Sequence, residues 1–295
     1  MQTVLDLALG GISLGAIYAL MAFALSMALA TTHVLNVAHG LILVLGAAAA
    51  TYLIQVRPVG ILAALAVVII GAALFGLAFE SVFVRQFLGK SPEEILIGTI
   101  LVTLGFGLAV ETLLGYYWAR WVHPTPSFTL SFPWPHLRLG WVTLSGTRLA
   151  ILTLAILAIG AFHLFLTRTP LGKATRAVAQ NYEGALILGL NPRLISLTVY
   201  IVGITATAIS GVLLALAIPL DPYTGTRLTL VGLTVVVIGG VGSLPGALLG
   251  GVLLGVAEVL TAYTVGAIWS PVVSLLVFFA VLVVRPEGLF GRGSG

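Results

Sequence analysis

Long apolar runs separated by short polar interruptions fill this chain from end to end. Residues 7–30 carry no charge, and comparable runs recur at 59–84, 95–118, 148–166, 194–217, 228–241, 246–265 and 268–284; another, after an interruption at Asn36 to Gly40, ends near Ile54. Stretches of about 18 or more apolar residues are membrane spans rather than the core helices of a globule. A bilayer offers backbone groups no water, so only helices or closed barrels cross it, and barrel strands are alternating segments of about 10 residues. The pattern predicts an all-α integral membrane protein, a polytopic bundle of about 8–9 transmembrane helices with broken or re-entrant segments where runs are short. Nine crossings place the N-terminus outside and the C-terminus inside. Ala28-Leu29-Ala30 has the form of a signal-peptidase site, but the run is too long and no Lys or Arg precedes it, so an uncleaved first span is expected.

Composition agrees: 60% of residues are hydrophobic and the mean hydropathy is +1.18, against an apolar share of about half in soluble domains. Residues 1–295 read as a single transmembrane domain with no segment left for a soluble enzyme domain. There is no cysteine, which excludes disulfides and thiolate metal sites. The net charge of +4 comes from scattered loop residues, so nucleic acid is not an expected partner.

Charge matters most in residues 167–194, where Arg168, Lys173, Arg176 and Arg193 gather in a chain only 7% charged. Pro170 can open a helix there, Gly189 and Asn191 can close it, and Pro192 forbids its continuation, giving a helical lever of about four turns outside the bilayer. With this loop inside, Arg85, Lys90, Arg285 and Arg292 also fall inside, while Arg57, Arg120, Arg138, Arg148 and Arg227 fall outside, a modest positive-inside bias. Trp118, Trp121, Trp134, Trp141 and Trp269, with Tyr116, Tyr117, Tyr223 and Tyr263, all land at or beyond the outer ends, which suggests that the outer loops, chiefly residues 119–147, lie on the membrane or on a partner docked there.

Two stretches interrupt spans in a similar way: Asn36 to Gly40, and Gly239-Gly240-Val241-Gly242-Ser243-Leu244-Pro245-Gly246. Interrupted spans in two halves point to a transport pathway, and the plainer reading is two tight turns. Asn36 and His39 can share a helix face toward the interior, or Asn36 can cap the second helix while His39 bonds a neighbouring backbone. His163 is read as a buried histidine. Glu111 and Glu258 lie within spans, where a carboxylate faces a cavity or a partner, is protonated, or reaches the interface. The small-residue spacings Gly11/Gly15, Gly242/Gly246, Gly246/Gly250 and Gly251/Gly255 are read as packing. Gly11-Ile12-Ser13-Leu14-Gly15 fits the nucleophile-elbow pattern by letter alone, since an apolar span lacks its strand-turn-helix setting. No metal-protease, phosphate-loop or paired-carboxylate motif is present, so any ATP must be bound by another chain.

Four strings in order carry a resemblance. Asn36-x-Ala38-His39-Gly40, Arg176-Ala177-x-Ala179 followed by Ala185, Gly189, Leu190 and Asn191, Gly239-Gly240-x-Gly242-Ser243-x-Pro245-Gly246-Ala247 with Gly250-Gly251, and Arg285-Pro286-x-Gly288-Leu289-Phe290-Gly291 together resemble the permease subunits of ABC importers for branched-chain amino acids, the type related to ribose permeases. Where such permeases often carry an acidic pair, this chain has Gln180-Asn181; where they offer Arg-Pro, it has Arg85-Gln86. The resemblance implies a multi-pass subunit of a prokaryotic plasma (inner) membrane, not itself an enzyme and without a cofactor of its own. It implies a second homologous permease, two ATP-binding cassette subunits on the cytoplasmic side, an external substrate-binding protein and membrane lipid as partners. Residues 167–194 become the coupling loop, with Lys173, Arg176, Ala177, Ala179, Glu183, Ala185, Gly189 and Leu190 as contact residues. Asn36, His39, Gly40, Glu111, Gly239, Gly240, Gly242 and Glu258 become candidates for the translocation path. Urea or short amides remain alternative substrates, and a stand-alone secondary transporter driven through Glu111 or Glu258 remains an alternative mechanism.

Overall fold

The computed structural model describes residues 2–57, 59–122, 127–130, 135, 137–139, 142–285 and 288–290. Helix α1 (Gln2–Thr32) is followed by α2 (His39–Thr51), which runs on through a π-turn at Tyr52–Val56. Helix α3 (Ile61–Phe79) also ends in a π-turn, Glu80–Val84, and α4 (Pro92–Tyr117) starts from a capping box in which Ser91 and Glu94 exchange hydrogen bonds. A hairpin of two three-residue strands, β1 (Leu137–Leu139) and β2 (Val142–Leu144), leads into α5 (Gly146–Arg168). Then come α6 (Pro170–Gln180), α7 (Tyr182–Ile187), α8 (Pro192–Ala217), α9 (Gly225–Gly239), α10 (Leu244–Thr264) and α11 (Ser270–Val284). Eight helices among the described residues are long and apolar enough to cross a bilayer. Helix α9 is not one of them: its 15 residues span about 22 Å, short of a hydrocarbon core of about 30 Å.

The expected four-turn lever is two helices. Asn181 adopts an extended backbone, φ −154°, and its side chain accepts from Gly184 N at 2.8 Å, so it ends α6 and caps α7. Much of the expected outer loop, including Trp134 and Trp141, lies outside the described residues, as do Pro286, Gly291 and Arg292. Trp118, placed by sequence in an aromatic belt, is instead buried edge-on against Phe128, ring centroids 4.4 Å apart, and anchors the loop from within.

The innermost helices are α1, α2, α8 and α9, while α3, α4, α5 and α11 turn long apolar faces outward. Hydropathy alone does not separate these layers, because lipid is as apolar as the interior; small residues do. Gly11 and Gly15 of α1 meet Gly251, Val252, Gly255 and Val256 of α10 so closely that no Cβ fits between them. Hydroxyls inside the bundle turn back on their own helices: Thr31, Thr51, Thr99, Thr103, Thr207 and Ser210 donate to carbonyls one turn earlier at 2.6–2.9 Å.

Two ends follow from the contacts. At one, Arg148 pairs with Asp6 at 3.1 Å, Gln55 Nε2 donates to Thr129 O, and Phe128 exchanges backbone hydrogen bonds with Leu220. At the other, Ser196 donates to Glu80, Tyr182 stands edge-on to His33, and Leu289 N donates to Ile238 O. The Asp6–Arg148 pair is half exposed. Asp6→Asn is therefore expected to change stability by less than about 1 kcal/mol, read as an unchanged melting point in detergent.

Candidate functional site

After α1 the chain turns back through His33, whose φ of 57° is left-handed, and re-enters the bundle. Val37 N donates to Thr103 Oγ1 at 3.1 Å, and Thr103 lies near the middle of α4, so α2 starts at mid-depth and runs toward the end that carries Gln55. Asn36 is neither free nor the helix cap; its Oδ1 accepts from Ala38 N at 3.0 Å in a local turn that aims the chain into α2. His39 Nε2 lies 3.1 Å from Met21 O and 3.0 Å from Thr207 Oγ1. A carbonyl only accepts, so Nε2 carries the proton, and the imidazole ties α1, α2 and α8 together.

The partner of this interruption is not at Gly239 to Gly246, as the sequence suggested, but at the start of α9. Residues 218–224 lead down from the end of α8, Asp221 caps a short turn, and α9 begins at Gly225 beside Gly40. Helix α2 runs to one end and α9 to the other, so two short helices meet N-terminus beside N-terminus inside the bundle. Gly40 N donates to Thr229 Oγ1 at 2.9 Å, and that hydroxyl donates to Val37 O at 2.8 Å. The positive end of α9 meets a carboxylate: Glu111 Oε1 of α4 accepts from Thr226 N at 3.0 Å and Thr226 Oγ1 at 3.3 Å. Thus Asn36, His39, Gly40 and Glu111 are brought together. Glu111→Ala leaves the first amides of α9 without an acceptor and is expected to cost about 1–3 kcal/mol, with Glu111→Gln retaining most of it, by thermal unfolding in detergent.

Glu258 stands apart. Its Oε2 accepts from Tyr18 OH at 2.8 Å and its Oε1 from Ser274 Oγ at 2.7 Å, which clamps α1 and α11 onto α10. Gly239, Gly240 and Gly242 form a tight turn at the inner end of α9. Gly240 and Gly242 have φ of 89° and 78°, where a side chain is strained, and Gly239 abuts Gly246 with no space for a Cβ. Sequence reasoning passed over Glu80: 3% exposed, it accepts from Ser196 Oγ at 3.0 Å, and it begins the π-turn that ends α3. Its signal is a carboxylate late in an otherwise uncharged run, next to Phe79.

At the end that carries Glu80 and Tyr182, α6 buries Gly172, Thr175 and Val178 and presents Lys173 and Arg176 to solvent. Ala177 and Ala179 are half-buried, Ala185 of α7 is tucked into the core, and Glu183 is exposed. Beyond them the chain exposes Ile187 (85%) and Leu188 (80%) before Gly189, φ 77°, turns it through half-buried Leu190 into α8. Next to α6 a cavity of about 800 Å³ reaches from Arg176 and Gln180 to Phe23 and Met27 of α1. His163, expected to be buried, is exposed and lines this cavity, on a turn of α5 whose buried face is made by Phe162 and Leu166 instead. Among the described residues no group of three or more His, Asp or Glu is placed to hold a metal ion.

Comparison with known proteins adds to this geometry. Residues 7–284 match the family described as "Branched-chain amino acid transport system / permease component". The chain is 31% identical to the high-affinity branched-chain amino acid transport system permease protein BraD of Pseudomonas aeruginosa, covering 96% of this chain and 94% of that protein. It is 30% identical to the permease protein LivH of the corresponding Escherichia coli system over the same shares. It is also 29% identical to the autoinducer 2 import system permease protein LsrC of Yersinia enterocolitica, over 82% of this chain and 71% of that one. No solved structure matches.

Proposed function

The chain belongs to the family of branched-chain amino acid transport system permease components, and from that premise we propose that it is the translocation subunit of an ATP-driven importer for leucine, isoleucine and valine in a prokaryotic plasma membrane. It pairs with a second, homologous permease, takes substrate from an external binding protein, and is driven by two ATP-binding subunits on the cytoplasmic side.

The observation that carries this reading is the inner surface made by α6, α7 and the following turn. Ile187 and Leu188 stand out almost fully exposed, and α6 of the same loop exposes Lys173 and Arg176, at an end whose basic residues favour the cytosol. Apolar side chains exposed together beside charge mark a docking surface. What docks there has a path inward: Tyr182 touches His33, and His33 turns the chain toward Asn36 and the meeting point of α2 and α9. A shift of α7 is thereby passed to the segment that starts α2 at mid-depth, biasing the bundle between two arrangements. Residues 167–194 are the transmission element in this mechanism.

A weak site inside suffices, because affinity can reside in the external protein. Both Glu111 and Glu258 have internal hydrogen-bond partners, which favours anchoring over carrying an ion gradient. The test is co-purification with ATPase subunits, followed by leucine-stimulated ATP hydrolysis across a panel of binding-protein ligands including urea and short amides. Cysteine placed at Lys173 must label from the cytosolic side; labelling only from outside inverts the topology and ends the proposal.

A further inference from the structure

The cavity beside α6 has no part in the mechanism above, and its lining has a distinct chemistry. One wall is apolar: Val241, Leu244 and Pro245, around the start of α10, and Phe290 of the tail present exposed or half-buried surface over the almost fully buried Phe23 and Met27 of α1 and Leu166 of α5; the mouth carries Arg176 and His163. None of the described lining residues is acidic, and Arg176 has neither an ion pair nor a hydrogen bond among the described residues. Its volume, about 800 Å³, falls in the range of small-molecule sites. An unpaired guanidinium at the mouth of an apolar chamber suits a ligand with a carboxylate at one end and a hydrocarbon at the other, since guanidinium grips a carboxylate through two parallel N–H donors.

We propose that this cavity is a cytosol-facing binding site for a small amphipathic carboxylate, with Arg176 holding the carboxylate and the Val241, Leu244 and Phe290 surface holding the apolar part. The site rests on the transport reading above and extends it, because the natural occupant is then the amino acid just delivered, its ammonium left in water at the open mouth. Arg176 sits on α6, so an occupied cavity pins the coupling loop against α1 and α5, and product accumulated in the cytosol slows turnover.

The test uses the detergent-purified complex of the permease with its ATPase subunits, without binding protein, and L-leucine as the probe. Leucine binding should be displaced by 4-methylpentanoate and at least tenfold more weakly by L-leucinamide, which lacks the carboxylate. Arg176→Gln should abolish leucine binding and Arg176→Lys retain part of it. Val241→Trp, which fills the chamber from the exposed turn before α10 and leaves the packing of α5 on α6 in place, should weaken binding at least tenfold in a complex that still assembles. Equal competition by leucinamide, or unchanged binding in Val241→Trp, overturns the proposal. So does efficient cross-linking of a cysteine at Ala179 to an ATPase subunit that leucine does not impede, which assigns the cavity to the docking interface. If no ATPase subunit co-purifies, the transport reading fails, and the same competition on the permease alone decides the site. If transport proceeds without these carboxylate effects, only the site falls.

Discussion

Gly40→Val is expected to yield no folded protein. Gly40 is the second residue of α2, and a Cβ there meets the backbone of Gly225 and Thr229 rather than a side chain that can rotate away. Overpacking a core costs about 1–3 kcal/mol when side chains can adjust. Here two helix starts would have to separate, breaking the bond from Gly40 N to Thr229 Oγ1, so the loss lies above that range. The control is Gly71→Val on α3, where a Cβ meets nothing within 4 Å. Monodisperse yield and melting point in detergent should be near wild type for Gly71→Val and lost for Gly40→Val. Equal behaviour of the two variants removes the close crossing from the account.

Ile187→Asp with Leu188→Asp is expected to leave the permease folded and remove its partner. Both side chains are exposed in the isolated chain, so charge costs the fold little. In a docked surface the same two positions lose apolar burial and gain unpaired carboxylates. Truncation of a central contact residue typically costs 2 kcal/mol or more, roughly 30-fold in affinity. ATPase recovery in pull-down and leucine uptake should fall together by at least that factor, with permease level in the membrane unchanged. Full uptake in the double variant would falsify the docking role of this surface.

Much of the fold was legible because spans announce themselves by length and apolarity, whatever they pack against. Pro170 and Pro192 open α6 and α8 and Gly189 turns the chain after α7, as expected, since proline and positive-φ glycine act locally. The split at Asn181 was not read, because a capping asparagine within a polar helix looks like any other polar residue until its side chain is seen turning back on Gly184 N. The start of α9 was misjudged for a related reason. Gly225 and Thr226 precede Arg227 and read as the end of an outer loop, and what makes them a helix start at depth is Glu111, more than a hundred residues away in sequence. The glycine string at Gly239 to Gly246 was more conspicuous but serves a turn. His163 and Trp118 exchanged their expected surroundings because hydropathy in a membrane protein does not say which side faces lipid.

The backbone pairing of Phe128 with Leu220 has its own consequence. Leu220 precedes Gly225 by one short turn, so a load placed on the outer loop is delivered, across a few bonds, to the buried start of α9. His33 and Tyr182 deliver a load from the opposite end to the start of α2. The crossing of Gly40 and Gly225 is thus a fulcrum reached by a lever from each side of the membrane, and loosening either lever should leave the other working but out of step.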